Sequence, residues 1–361
     1  MRKPLRIINH YSDLFTWNKS DRLWQMPFFA GLSVGIVLYI AALMNRPDLG
    51  LVAMIGTTIF LYVPETPIYH KMVLAMCCAF GICASFAFGL LGQIYPSFVP
   101  IIVFFVTLIS AQVVRYFGIG APGFFFFAFA AILGSYIPFD TKDYAMAIGL
   151  VSMGAMVAVF MVLLYALSVI YIFKSHILKP IPKVGEFGFG VIIVDPMIIA
   201  IFVSGAMFLQ NFLSLERGYW VGISCAAVMT AVTFKQMWVK QIQRILGTIA
   251  GVGLAYWFLH YRFSPIEFAL LMMALMFFAE LTVVRNYALS MVFLTPYSTY
   301  LAEVSSFMNY NPDIIVRARI LDIAIGSVIG LIGGAFMHWA FFRRLLERFA
   351  HKFFTKWRGA E

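Results

Sequence analysis

The stretch MVLAMCCAFGICASFAFGLLG, residues 72–92, holds no Asp, Glu, Lys or Arg, and comparable apolar stretches recur along the rest of the chain. Each is long enough to cross the hydrocarbon core of a bilayer as a helix, which takes roughly 17–25 residues. The chain is 62% hydrophobic and 12% charged, with a mean hydropathy of +0.90. A soluble domain carries about 25% charged residues. Too little polar surface remains to cover a water-soluble globule, so the expected fold is an all-α integral membrane protein.

Twelve candidate transmembrane helices follow, near 28–45, 49–63, 72–92, 98–114, 119–137, 145–173, 191–213, 219–234, 242–259, 265–284, 286–303 and 316–342. With this count, 20 of the 26 Lys and Arg fall in the tails and even-numbered loops, and 6 in the odd loops. Positive charge marks the cytoplasmic side, so both termini are expected in the cytoplasm. The same distribution accounts for the net charge of +10 without nucleic acid. The segments divide as a cytoplasmic N-terminal segment (1–25), a first six-helix set (26–174), a cytoplasmic linker (175–190), a second six-helix set (191–342) and a tail (343–361). The first 25 residues are polar and mixed, with no cleavable leader pattern. In the tail, Leu345, Leu346, Phe349, Phe353 and Trp357 recur at helical spacing among basic residues. This pattern suits an amphipathic helix on the anionic leaflet, or a plain solvated helix end. Cys77, Cys78, Cys83 and Cys225 all lie inside apolar stretches and read as small packing residues, not as a disulfide framework or metal site.

The chain repeats itself. VVRYFG begins at Val113 and VVRNYA at Val283. Pro27 pairs with Pro196 and Lys71 with Lys240 at an offset of 169, and AIG at 147–149 matches AIG at 324–326. The matches are colinear, and small loop insertions account for the drift in offset. They predict a duplicated six-helix unit. Six is even, so the two copies run parallel, related by a pseudo-two-fold axis along the membrane normal. Arg115 and Arg285 would then face a central path from related positions. An arginine closing a span on the cytoplasmic side also satisfies the positive-inside rule by itself, its head snorkelling to phosphates.

RGYWVGISCAAVMTAVTFKQMWVKQIQRILGTIAGVGLA, residues 217–255, resembles the fusaric acid resistance (FUSC) family of bacterial inner-membrane exporters. Tyr219-Trp220-Val221, then Gln243-Arg244-Ile245-Leu246-Gly247-Thr248 and Gly251, carry the likeness. VRNYALSMVFLTP (284–296) and RARILDIAIGSVIG (317–330) extend it. The first half matches only through the repeat, with Leu49-Gly50-Leu51 where Tyr-Trp would stand. The resemblance implies export of small aromatic or other organic acids across the bacterial inner membrane, in many relatives with a periplasmic adaptor. Long forms carry a large cytoplasmic domain, and this chain reads as a short form. The family is also distantly similar to plant aluminium-activated malate transporters, which form a pore from two six-helix chains.

A carboxylate loses its hydration shell on crossing, and arginine compensates with a bidentate fork that stays charged. Arg115 and Arg285 are the leading candidates, and Tyr116, Tyr287, Tyr219 and Trp220 could stack on a ring. Tyr and Trp also gather at membrane interfaces without any ligand. Glu280, five residues before Arg285, is a carboxylate inside a span and so a candidate proton-coupling group, or a fixed partner for an arginine. Asp322 is a second such carboxylate, or the partner of Arg319 one turn earlier. Asp195 before Pro196 fits a helix cap. In FGIGAPGF, residues 117–124, the backbone would either bind an anion or form a tight turn. No catalytic constellation, phosphate loop or His/Cys ligand set occurs, so no enzyme activity and no cofactor or metal is expected. The expected function is proton-driven export of organic anions, from aromatic acids to siderophore-sized or drug-like metabolites. The alternative is a passive anion channel, and self-association would suit either.

Overall fold

The computed structural model describes residues 17–20, 22–173, 179–181, 190–215, 217–231, 233–304 and 312–339. The tail and most of the linker lie outside the described residues. The protein is an all-helical membrane protein. Among the described residues the twelve α-helices are α1 (Gln25–Leu43), α2 (Pro47–Thr57), α3 (Ile68–Ile94), α4 (Val99–Tyr116), α5 (Phe125–Tyr136), α6 (Tyr144–Leu167), α7 (Asp195–Phe212), α8 (Tyr219–Met229), α9 (Phe234–Leu259), α10 (Pro265–Val283), α11 (Tyr287–Thr299) and α12 (Pro312–His338).

Each of the twelve expected spans coincides with one helix, but not all twelve are long enough to cross. Among the described residues, eight helical stretches have the length and hydropathy of a span. Helices α2, α5, α8 and α11 hold only 11, 12, 11 and 13 residues. At about 1.5 Å rise per residue, none reaches across a core of roughly 30 Å. These four are the second and fifth helices of each set of six. α5 is short because the expected span at 119–137 starts late: residues 117–124 form a turn, with Gly118 and Gly123 at positive φ. The Gly118, Ile119 and Gly123 amides bond back to the Arg115, Val114 and Gly120 carbonyls, so those three serve the turn itself.

Local chemistry sets several boundaries. Ser264 and Glu267 form a reciprocal capping box at α10, with Pro265 in its first turn. The Asn286 side chain accepts from the Leu289 amide at α11, and Thr233 from the Gln236 amide at α9. Asp195 does not cap α7; it is the first helical residue and forms an ion pair with Arg115.

In lipid, helices associate through close packing and not through a hydrophobic drive, so small residues mark the contacts. In the first six helices, α2 packs on α6, α3 on α5 and α6, α1 on α2 and α6, and α4 on α5. In the last six, α8 packs on α12, α9 on α11 and α12, α7 on α8 and α12, and α10 on α11. Two helices join across the halves in a matching way, α4 against α7 and α10 against α1. A Cβ at Gly154 of α6 would strike the Ala53 carbonyl of α2, and one at Gly326 of α12 would strike the Val221 carbonyl of α8.

Candidate functional site

One cavity of about 1340 Å³ lies between the two halves. Its described lining includes six cations, Arg22, Lys179, Lys240, Arg244, Arg285 and Arg319, against two carboxylates, Glu65 and Glu280. The walls differ in kind. Helices α3 to α5 present Phe80, Phe88, Phe125, Phe126, Phe127 and Phe129, whereas α8 to α12 present most of the charge.

The charged wall is built on α9. Lys240, Gln243, Arg244 and Thr248 follow at helical spacing on one side of it and line the cavity. Gly247 and Gly251 face α11, where a Cβ would meet the Ala288 carbonyl and the Thr295 side chain. That close approach sets Lys240 beside α11, its ammonium 5.8 Å from the centre of the Tyr287 ring. Arg244 is 8% exposed and donates from Nη2 to the Ser224 hydroxyl of α8 at 3.2 Å. Its Nε is buried without a hydrogen-bond partner, and no ion pair reaches it among the described residues. A buried guanidinium holding one neutral hydroxyl is costly to the fold unless an anion completes it.

A second guanidinium lies nearby. Arg319 of α12 stacks 3.7 Å over the Trp220 ring and bonds to the Ser298 hydroxyl at 2.5 Å. Trp220 and Ser224 are one helical turn apart on α8, about 6 Å along its axis. Arg244 and Arg319 therefore bear on successive turns of one short helix.

The candidate arginines part company. Arg285 lines the cavity from the turn after α10; its side chain bonds to the Leu281 carbonyl of that helix, and its carbonyl accepts the Asn18 amide at 2.9 Å. Arg115 does not line it. Its Nη1 sits 2.6 Å from the Asp195 carboxylate and 3.3 Å from the Val191 carbonyl, tying α4 to the start of α7. The expectation that both face a shared path is thereby revised, since Arg115 already has an anion.

The aromatic and acidic candidates also divide. Trp220 and Tyr287 line the cavity; Tyr219 is buried against the Tyr136 ring, 5.5 Å away, and Tyr116 is exposed beside Phe117. Glu280 lines the cavity and pairs at 2.8 Å with Arg22 of the segment before α1. Asp322 is 2% exposed in α12, away from the cavity wall. Cys77 is exposed and lines the cavity, Cys83 is half-buried, and Cys78 and Cys225 are buried. Among the described residues, no group of three or more His, Cys, Asp or Glu is placed to hold a metal.

Arg244 is missing from the sequence-derived site although it stands in the QIQRILGT stretch. The expected span started at 242, which left Lys235 and Lys240 in a cytoplasmic loop, and Arg244, two residues inside it, was counted with that loop. Helix α9 starts at Phe234, so these cations are helical. Lys71 and Arg319, also counted with the loops, are buried inside α3 and α12. The available signal was the i, i+4 spacing of Lys240 and Arg244, continued by the apolar face of ILGTIAGVGLA.

With the geometry in place, the family comparison locates the charged wall. Residues 199–333, most of α7 to α12, match the family model described as fusaric acid resistance protein-like. Over that stretch the second half is similar to the fusaric acid resistance-like family. Over 117 residues the chain is 38% identical to the uncharacterized membrane protein YvaC of Bacillus subtilis (strain 168). That alignment covers 32% of this chain and 18% of YvaC, so it spans less than a fifth of that protein. No solved structure matches the chain.

Proposed function

We propose that the protein is a secondary transporter that exports organic anions through this cavity. The observation that carries the reading is Arg244, a buried cation with no carboxylate partner among the described residues, in a cavity whose described lining holds six cations and two carboxylates. Arg244 and Arg285 hold the substrate's anionic group, Lys240 supplies field at one side, and Trp220 and Tyr287 offer ring faces. Aromatic acids suit the phenylalanine wall, and the volume accepts siderophore-sized or drug-like metabolites. Arg115 takes a positioning role through Asp195.

The matching helix contacts of the two halves, with short helices at positions two and five of each, support the duplicated parallel unit over 26–174 and 191–342. The charge distribution supports cytoplasmic termini, and the family likeness supports a bacterial inner membrane. Partnership with a periplasmic adaptor and self-association belong to the same reading.

Glu280 is the proton-coupling candidate, because protonating it releases Arg22 from an ion pair at the cavity wall. Asp322 is the second. A passive anion channel is the other reading, favoured by that same pair if Arg22 keeps Glu280 permanently charged. Flux of a panel of aromatic and aliphatic acids in proteoliposomes separates the two. Accumulation driven by an imposed pH gradient supports a coupled exporter, and downhill flux that follows voltage alone supports a channel. No flux of any acid, with Arg244→Gln indistinguishable from wild type in binding, would remove the anion reading altogether.

A further inference from the structure

Where α3 and α4 form it, the cavity wall carries side chains that are not buried inside the bundle. Val73, Phe80 and Phe88 of α3 are 59%, 78% and 54% exposed, and Ile109 and Val113 of α4 are 58% and 46% exposed, yet all five line the cavity. They sit on two helices with the length and hydropathy of spans. From Val73 to Phe88 the wall runs about 22 Å along α3, most of a hydrocarbon core of roughly 30 Å. Apolar side chains at that depth, outside the bundle's packing, meet lipid. The same cavity reaches Arg244, 8% exposed and held by one hydroxyl.

We propose that α3 and α4 frame a lateral portal through which a long-chain amphipathic carboxylate enters from the bilayer, its head on Arg244 and its tail along the portal. The assignment deepens the organic-anion reading and rests on it. Three features converge. Charge complementarity at Arg244 calls for an anion. The lining of α3 and α4 is mostly apolar, and five of its side chains are exposed toward lipid. The volume, about 1340 Å³, exceeds the roughly 300–1,000 Å³ typical of a pocket for a drug-sized ligand. A tail that stays in the portal never enters water, where each exposed methylene would shift partitioning roughly fourfold against transfer. Only the head exchanges its environment, from interfacial water to a guanidinium.

The test uses the full chain in nanodiscs and a sixteen-carbon fatty acid bearing a photoreactive diazirine at its tail end. The expected result is labelling concentrated at 73–88 and 106–113. Arg244→Gln should reduce it at least about fivefold, and Arg244→Lys should restore part of it. Unlabelled palmitate should compete, whereas its methyl ester and anionic phospholipid should not. Ala84→Trp, at a cavity-lining residue of α3, should fill the groove and abolish portal labelling in a protein that still carries short aliphatic acids, which need Arg244 and not the phenylalanine wall. The proposal is overturned by even labelling over all lipid-facing helices that Arg244→Gln leaves unchanged. Competition by anionic phospholipid would instead assign the site to a lipid headgroup, and copy-to-copy cross-links through 73–88 would assign that face to a second chain. Short-acid flux that depends on Arg244 without portal labelling sinks the portal and leaves the transport reading standing; loss of both sinks both.

Discussion

The two halves pack their helices in the same pairs and spend their cations differently. Lys71 in α3 is neutralised by Glu65 at 3.0 Å, while Lys240, at the matching position in α9, faces the cavity beside Tyr287. Arg115 closes α4 on Asp195, while Arg285 closes α10 on the cavity wall with no carboxylate partner among the described residues. Arg244 has Ala75 as its counterpart at the same offset, and Trp220 has Leu51. The first half reads as scaffold and apolar wall, the second as the charged wall. Corresponding helix contacts in the two halves do not require corresponding sites, because a buried cation costs stability and one set of them suffices.

The sharpest way to break that comparison is Arg244→Gln. Removing one partner from a buried charge pair costs roughly 2–5 kcal/mol, about 30-fold or more in affinity. Flux in proteoliposomes should fall by about that factor with insertion intact. Ala75→Ser, at the matching position, should leave flux within about twofold. Equal effects at the two positions would end the division of labour.

Next in size is a contrast between the repeated arginines. Arg115→Gln should lower thermal stability by about 1–2 kcal/mol, less than the roughly 3–5 of a fully buried pair, because its side chain is 25% exposed. Asp195→Asn should do the same, and the double variant should lose less than the sum, while turnover of the folded protein holds. Arg285→Ala should show the opposite, near-native melting with transport largely lost. Stability loss at Arg285 with normal transport would place both arginines in the scaffold.

Similar packing in the two halves has its own test. Gly154→Val and Gly326→Val each push a side chain into a facing carbonyl, and overpacking of this kind costs about 1–3 kcal/mol. Melting temperatures in detergent should fall by comparable amounts. A tolerant Gly326 beside an intolerant Gly154 would mean that α8 and α12 can separate where α2 and α6 cannot.

The order and number of helices were legible because hydropathy alone marks where apolar stretches begin and end. Four lengths were misjudged for one reason: an apolar stretch is read as crossing, yet α2, α5, α8 and α11 use part of theirs in turns and irregular helix. The charged site was harder. Positive-inside counting treats every Lys or Arg near a boundary as a loop residue, which is how Arg244 and Arg319 passed as topology signals. Whether Arg115 or Arg285 meets a carboxylate depends on Asp195, which pairs with Arg115, and on Arg22, which takes Glu280; both come from distant sequence, beyond the reach of local pattern.

The smallest expected effect tests the repeated tyrosines. Tyr116 and Tyr287 follow VVR by one and by two residues, yet only Tyr287 lines the cavity, its ring 5.8 Å from the Lys240 ammonium. A cation over a ring contributes about 0.5–1 kcal/mol when exposed and about 2 when desolvated. The half-buried pair belongs near the lower value, so Tyr287→Leu should raise the half-saturating concentration of an aromatic acid about two- to fivefold. Tyr287→Phe keeps the ring and should recover most of it. Tyr116 is 46% exposed with its ring against Phe117, so Tyr116→Leu should change nothing measurable. A loss at Tyr116 that matches the loss at Tyr287 would put the substrate path at both halves and return Arg115 to it.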